Sequence, residues 1–137
     1  MRRIALYLLF PAWLASADSG LDPYTAAVLA PCMGIKHSVE VMSCLMDLAD
    51  SKKKEYESQF KVYLQAIASL KEDQRDQQRM TEREKKAKEG WDIYTENSCM
   101  AAVTLYEKER FAYKAKYYNC IIINYSKRID FYKKEEF

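Results

Sequence analysis

The chain has 137 residues, of which 49% are hydrophobic and 31% are charged, so we expect one compact domain with a densely charged surface. Its 22 basic and 20 acidic residues nearly balance. This balance argues against nucleic-acid binding, because nucleic-acid-binding domains carry a net basic surface. The chain has only three glycines and three prolines, whereas an all-β fold with many tight turns would need more of both.

The first 17 residues have the pattern of a secretory signal peptide. Arg2 and Arg3 precede the apolar stretch Ile4–Leu14, and Ala15-Ser16-Ala17 forms an A-x-A cleavage site. The apolar stretch is too short to cross a bilayer, which needs about 20 residues. We therefore predict export to the periplasm or beyond, with a single mature domain over residues 18–137 and no membrane span after cleavage. Loss of the two arginines would leave the mature protein near neutral.

Four cysteines, Cys32, Cys44, Cys99 and Cys120, predict two structural disulfides in an oxidising compartment. A zinc site is disfavoured because the chain has no C-x-x-C motif and its single histidine, His37, is not beside a cysteine. A helical hairpin favours the nested pairing Cys44–Cys99 with Cys32–Cys120. Pairing of Cys32 with Cys99 and of Cys44 with Cys120 also fits a bundle, and the sequence does not choose among the three possible connectivities.

The first part of the mature chain predicts an arm followed by a long helix. Residues 18–31 contain glycine and two prolines, which predicts an irregular arm. From about Ser38 the pattern is helical, with apolar residues spaced by three and four. This apolar stripe consists of Val41, Leu45 and Leu48 and, after an interruption at Ser51-Lys52-Lys53-Lys54, of Tyr56, Phe60, Tyr63, Ile67 and Leu70. The stripe is lost over residues 71–80, where we predict a turn.

A second helix is predicted from Thr81, because Thr81 to Glu84 has the form of a capping box. Its expected stripe is Ala87, Trp91, Tyr94, Ser98, Ala101 and Leu105. A bend near residues 106–111 would let a last helix return to the bundle. The stripe of that last helix is Tyr118, Ile122, Tyr125, Ile129 and Tyr132.

These patterns together predict an all-α fold, a small antiparallel helical bundle with a long helical hairpin, a shorter C-terminal helix and two disulfides. The predicted core includes Tyr56, Phe60, Trp91, Tyr94 and Ile122. In it Trp91 fills the centre of the hairpin, and Cys99 tethers the helix that carries it.

No combination of residues predicts catalysis. The chain lacks a nucleophile–His–acid set, a paired-carboxylate motif, a Gly-rich phosphate loop and a cluster with metal-ligand spacing. His37 has no evident partner. We therefore predict a protein that acts by binding another protein, without enzymatic activity, cofactor or metal.

Several segments resemble the lysozyme inhibitor LprI-type family. Cys32 followed by Ser38–Cys44 resembles its Cys…T-x-x-E-M-x-x-Cys opening, and Trp91-x7-Cys99 resembles its W-x-x-x-R-D-x-x-C segment. Cys120 followed by Arg128 resembles its closing C-x7-R, which places Arg128 in the expected core. Tyr56, Phe60 and Leu64 occupy the positions of its Leu, Tyr and Leu, and the likeness covers about residues 32–133.

The resemblance implies an exported protein of the bacterial envelope that inhibits a lysozyme-type muramidase. Such an inhibitor would occupy the catalytic cleft, where two carboxylates act on the glycan. Cations at the hairpin tip (Arg75, Arg79 and Arg83) or in the segment Lys108-Glu109-Arg110 could meet those carboxylates. The alternative is an immunity or envelope-stress protein that binds another exported partner and has no effect on lysozyme.

Overall fold

The computed structural model describes residues 20–134, and all of its regular elements are helices, which confirms the all-α prediction. The predicted signal peptide lies outside the described residues. The four α-helices are α1 (Pro23–Leu29), α2 (Ser38–Ala68), α3 (Gln74–Val103) and α4 (Phe111–Lys134), and a 3-10 turn (Ala30–Cys32) follows α1.

Helices α2 and α3 form the predicted long hairpin, and α4 packs against both. Lys88 of α3 binds Glu57 of α2, with Nζ and Oε1 2.9 Å apart. Cys99 of α3 is bonded to Cys120 of α4. Tyr56 of α2 packs on Tyr125 of α4 and Tyr63 packs on Tyr132, with ring centroids 5.0 and 4.9 Å apart. The contacts advance in the same direction along both helices, so α4 runs parallel to α2 and antiparallel to α3. The predicted bend between α3 and α4 is confirmed, since no helix occupies residues 104–110.

The core lies mainly between α2 and α4 and is rich in aromatic rings. Tyr56 and Ile122 are fully buried, and Phe60 is 7% exposed. The ring of Tyr132 lies 4.9 Å from that of Tyr63 and 5.4 Å from that of Phe60, centroid to centroid. Such aromatic pairs add about 1 kcal/mol each beyond the area they bury. Several tyrosines therefore form the centre of the core.

A polar cluster joins α2 to α3 inside this packing. The Tyr56 hydroxyl donates to Asp92 Oδ1 (2.8 Å), and Lys88 Nζ donates to Asp92 Oδ2 (2.8 Å) and to Glu57. Burial and the bond to Asp92 raise the pKa of Tyr56. Burial opposes the charge of Lys88, but its two carboxylate partners outweigh this and raise its pKa. These groups are satisfied within the bundle, which makes the cluster a structural contact between the two helices.

The buried face of α3 is rotated by about one residue from the predicted apolar stripe. Thr95, Cys99 and Val103 are its buried residues. Leu105 is 98% exposed and Tyr94 is 57% exposed, so the expected place of Tyr94 in the core was wrong. The rotation follows from the polar contacts: Lys88, Asp92 and Thr95 share the inward face, and a stripe drawn from apolar residues alone cannot include them.

The predicted arm before α2 and the predicted start of α3 also require correction. The arm is not irregular, because Asp22 caps α1 by accepting from the Thr25 N–H (3.0 Å) and Pro23 occupies the first helical turn. Helix α3 begins at Gln74, seven residues before the expected Thr81, and Asp73 is its cap. Most of the residues from Gln74 to Met80 are Gln or Arg, which are good helix formers, so a helix can form there without an apolar stripe.

The disulfides pair neighbours in sequence, contrary to the nested arrangement that we favoured. Cys32 is bonded to Cys44 and Cys99 to Cys120, with Cα–Cα distances of 5.7 and 5.5 Å. The first bridge ties the 3-10 turn to α2, and the second joins the two helices that flank the 104–110 loop. The nested pairing placed Cys44 and Cys99 together at the open end of the hairpin, whereas Cys99 meets Cys120 on the antiparallel α4.

Candidate functional site

The described residues contain no group of three or more His, Cys, Asp or Glu side chains that could hold a metal ion. His37 is exposed at the N-cap position of α2 and makes no side-chain capping bond. Within residues 20–134, none of the helices has a stretch apolar and long enough to cross a membrane.

The arginines predicted at the hairpin tip are mostly paired with local acids. Arg79 binds Asp76 at 2.6 Å, and Arg75 lies 3.6 Å from Asp73. Arg83 is exposed and has no ion pair among the described residues. Because the cations alternate with acids along α3, the tip offers only a weak net positive field to a partner.

The opposite end of the bundle carries an exposed apolar groove between the first turns of α2 and α4. Val39 is 80% exposed, Met46 is 44% exposed and Phe111 is 46% exposed. Together with Met42, Glu109 and Lys114 they line a groove of about 450 Å³. Methionine side chains adapt to irregular partners, and clustered exposed apolar residues are typical of protein interaction sites.

The loop over residues 104–110 continues this exposed surface. Leu105 is 98% exposed and Tyr106 is 44% exposed, and both precede Phe111 by only a few residues. We call the groove residues Val39, Met42, Met46 and Phe111, together with the 104–110 loop, the loop-end surface. An apolar side chain as exposed as Leu105 gains nothing in the isolated chain, so a partner that covers it would gain its burial energy of about 2 kcal/mol.

Several contacts hold the loop in one shape. The Tyr106 N–H donates to the Val103 carbonyl oxygen (2.9 Å), and the Arg110 guanidinium binds the Glu107 carboxylate (2.6 Å). Glu109 has φ 66°, the left-handed region, which is rare for residues other than glycine. The Cys99–Cys120 bridge closes the base of the loop. A loop held in this way loses little conformational entropy on binding, which favours affinity.

The charges on the loop are distributed unevenly. Glu109 binds Lys114 at 2.8 Å, an interaction that lowers the pKa of the Glu109 carboxyl and raises that of the Lys114 amine. Arg110 is neutralised by Glu107. Lys108, by contrast, is exposed and makes no ion pair among the described residues. Lys108 is thus the cation of the predicted 108–110 segment that a partner's carboxylate can reach.

Trp91 and Arg128 form a partly exposed cluster on the side of the bundle, separate from the loop-end surface. The Arg128 guanidinium carbon lies 5.5 Å from the Trp91 ring centroid and 4.2 Å from that of Phe131. Both Trp91 and Arg128 are partly buried, and Tyr94 packs against Trp91 from the solvent side (5.5 Å between centroids). Cation–π stacking of this kind holds α3 to α4. Trp91 therefore seals the side of the bundle and does not fill its centre as predicted.

Sequence reasoning named the 108–110 segment but missed the apolar part of the loop-end surface. The predicted core stripe includes Leu105, and no surface role is predicted for Val39. A signal for both was present, since Val39 lies off the apolar stripe of α2 and Leu105 lies next to the break that ends α3.

No family model, curated protein or solved structure matches the chain. The resemblance to the LprI-type family therefore rests on the segments quoted above.

Proposed function

We propose that the protein is an exported, disulfide-bonded binding protein that uses the loop-end surface to block a lysozyme-type muramidase. The observation that carries this proposal is the exposed apolar residues on a loop whose base is closed by a disulfide. Disulfides and the lack of a membrane-spanning helix among the described residues are compatible with export.

The chemistry of the loop suits a cleft that contains carboxylates. Leu105 and Tyr106 would supply apolar anchors, which commonly dominate binding energy when they enter a pocket. Lys108 would approach the two catalytic carboxylates of a muramidase, and such a cation between two carboxylates would be well paired. The family resemblance supplies the class of the partner, and the loop supplies a shape and a charge that suit it.

The test is inhibition of lysozyme activity on bacterial cell walls by the purified mature protein, measured with a panel of lysozymes. We expect inhibition by the wild type and by an Arg83→Glu control at the far hairpin tip. We expect Leu105→Asp and Lys108→Glu to lose inhibition. All three positions are exposed, so the melting temperature should stay unchanged and separate a binding defect from unfolding.

Two outcomes would contradict the proposal. Absence of inhibition of every lysozyme at large molar excess would exclude the muramidase as partner and favour an immunity or envelope-stress role. Inhibition that Arg83→Glu abolishes and Leu105→Asp leaves intact would move the binding surface to the hairpin tip.

A further inference from the structure

The loop-end surface carries both an apolar protrusion and an apolar recess. The protrusion is Leu105, which is 98% exposed, together with the half-exposed Tyr106 of the loop between α3 and α4. The recess is the groove of about 450 Å³, whose apolar lining consists of Val39, Met42, Met46 and Phe111. Leu105 and Tyr106 do not line this groove, so within one chain neither apolar feature covers the other.

The protrusion and the recess lie at the same end of the bundle, joined by a few residues of chain. Glu109 of the loop and Phe111, which begins α4, both line the groove. In a twofold-symmetric pair of identical chains a surface meets its own copy, so a protrusion and a recess on that surface can fill each other twice. A muramidase cleft that took the loop would leave the groove uncovered, whereas a second copy covers both features.

The free charges beside the protrusion and beside the recess have opposite signs. Lys108 of the loop is exposed and has no ion pair among residues 20–134. Asp47 and Asp50 follow the groove residues Ser43 and Met46 by one helical turn of α2, so they extend the same face. Both aspartates are exposed, and neither has an ion pair in the part of the chain that the structure describes. The loop of one chain is thus positive where the groove of another chain is negative.

We propose that the groove takes up the loop of a second copy of this chain, in a twofold-symmetric dimer. Leu105 of each chain enters the groove of the other, where the flexible methionine side chains adapt to its shape. Lys108 of each chain reaches Asp47 or Asp50 of the partner subunit. The dimer removes the exposed apolar side chains of both chains from water, which drives the association, and the opposite charges fix the register of the two copies.

The dimer has a consequence for the proposed function, but it forms whether or not that function holds. Because the loop is buried in the dimer, a second copy and a muramidase compete for it, and inhibition per chain should fall at concentrations where the dimer forms. This regulation rests on the proposed function, whereas the self-association does not. Self-association is therefore measured without lysozyme, so that failure of the dimer and failure of the muramidase proposal are told apart.

The first test is sedimentation equilibrium of the purified mature protein over a range of concentrations. We expect a reversible monomer–dimer equilibrium with a Kd below about 1 mM. Val39→Asp puts a charge in the apolar groove and should weaken the dimer at least about tenfold, and it should stay folded because aspartate is favoured in the first turn of a helix. Val62→Asp changes another exposed valine of α2 outside the groove lining and should dimerise as the wild type. A monomer at every concentration up to about 1 mM, or equal effects of the two variants, would overturn the proposal.

An exchange of charges tests whether the loop of one chain meets the groove of the other. Lys108→Glu alone, and Asp47→Lys/Asp50→Lys alone, each place like charges at both contacts of their own dimer, so each should dimerise about tenfold more weakly than the wild type. In an equimolar mixture of the two variants, opposite charges meet at both contacts, and a heterodimer should form with nearly wild-type affinity. All three positions are exposed, so the variants should stay folded. A mixture that dimerises no better than the separate variants would overturn the pairing of loop with groove.

Discussion

Removal of the Cys99–Cys120 bridge should destabilise the protein and also weaken partner binding. The bridge spans 21 residues, and closing a loop of that length in the unfolded chain is worth about 3 kcal/mol in the chain-entropy model. A small domain has only about 5–15 kcal/mol of stability in total. With a urea m-value of about 1.5 kcal/mol/M, the double variant Cys99→Ala/Cys120→Ala should lower the denaturation midpoint by about 2 M.

The Cys32–Cys44 bridge is the matched control. It spans 12 residues, so its removal should cost a similar amount, also about 3 kcal/mol. It holds the turn after α1 and does not bound the 104–110 loop, so Cys32→Ala/Cys44→Ala should keep its partner affinity where the folded state remains populated. Only the Cys99–Cys120 variant should lose affinity, because its loop is no longer held in the bound shape.

Urea denaturation and unreduced peptide mapping check this reasoning. Mapping should yield linked peptides that join Cys32 to Cys44 and Cys99 to Cys120. Peptides linking Cys44 to Cys99 would refute the pairing. A stability change below about 1 kcal/mol on loss of the Cys99–Cys120 bridge would refute the entropy argument, and equal affinities of the two double variants would refute the role of the bridge in binding.

Three further predictions concern single residues. Tyr56→Phe removes the donor to Asp92, which keeps its lysine partner, so urea denaturation should show a loss of about 1 kcal/mol; no change would mean that the bond is not formed in solution. Lys133 and Lys52 lower the pKa of Glu55 below its ordinary value of 4.5. Glu55 therefore stabilises the folded protein above pH 4.5, and this stabilisation is lost as the pH falls through the lower pKa of the folded state. Thermal melts at several pH values should show that Glu55→Gln flattens this acid dependence. Glu109 has a positive φ, which strains any residue with a Cβ by about 1–2 kcal/mol, so Glu109→Gly should keep or raise the free energy of unfolding, while the β-branched Glu109→Val should lower it; equal effects of the two variants in denaturation would contradict the backbone argument.

The helical class and the hairpin were predictable because they depend on local pattern. Residues spaced by three and four, from Val41 to Ile67, share one face of a helix whatever surrounds them. The break near residues 106–111 was also local, since charged residues interrupt the stripe there. The 108–110 segment of the candidate site followed from the same break.

The predictions that were wrong concern contacts between residues that are distant in sequence. The inward face of α3 includes Lys88 and Asp92, which are partly buried and whose polar groups are satisfied by Glu57 and Tyr56 on α2. A hydrophobic stripe cannot reveal this. For the same reason Leu105 was placed in the core when it is almost fully exposed, and the apolar part of the loop-end surface was missed.

The sequence by itself determined that this is a helical, cysteine-bridged chain with a balanced surface charge and no evident catalytic motif, because composition and periodicity are properties of neighbouring residues. Only the tertiary structure decided which cysteines pair, which face of α3 is buried and which apolar side chains are left in solvent. Each of these depends on how helices far apart in sequence are placed against one another, and the antiparallel packing of α4 on α3 brings Cys120 to Cys99.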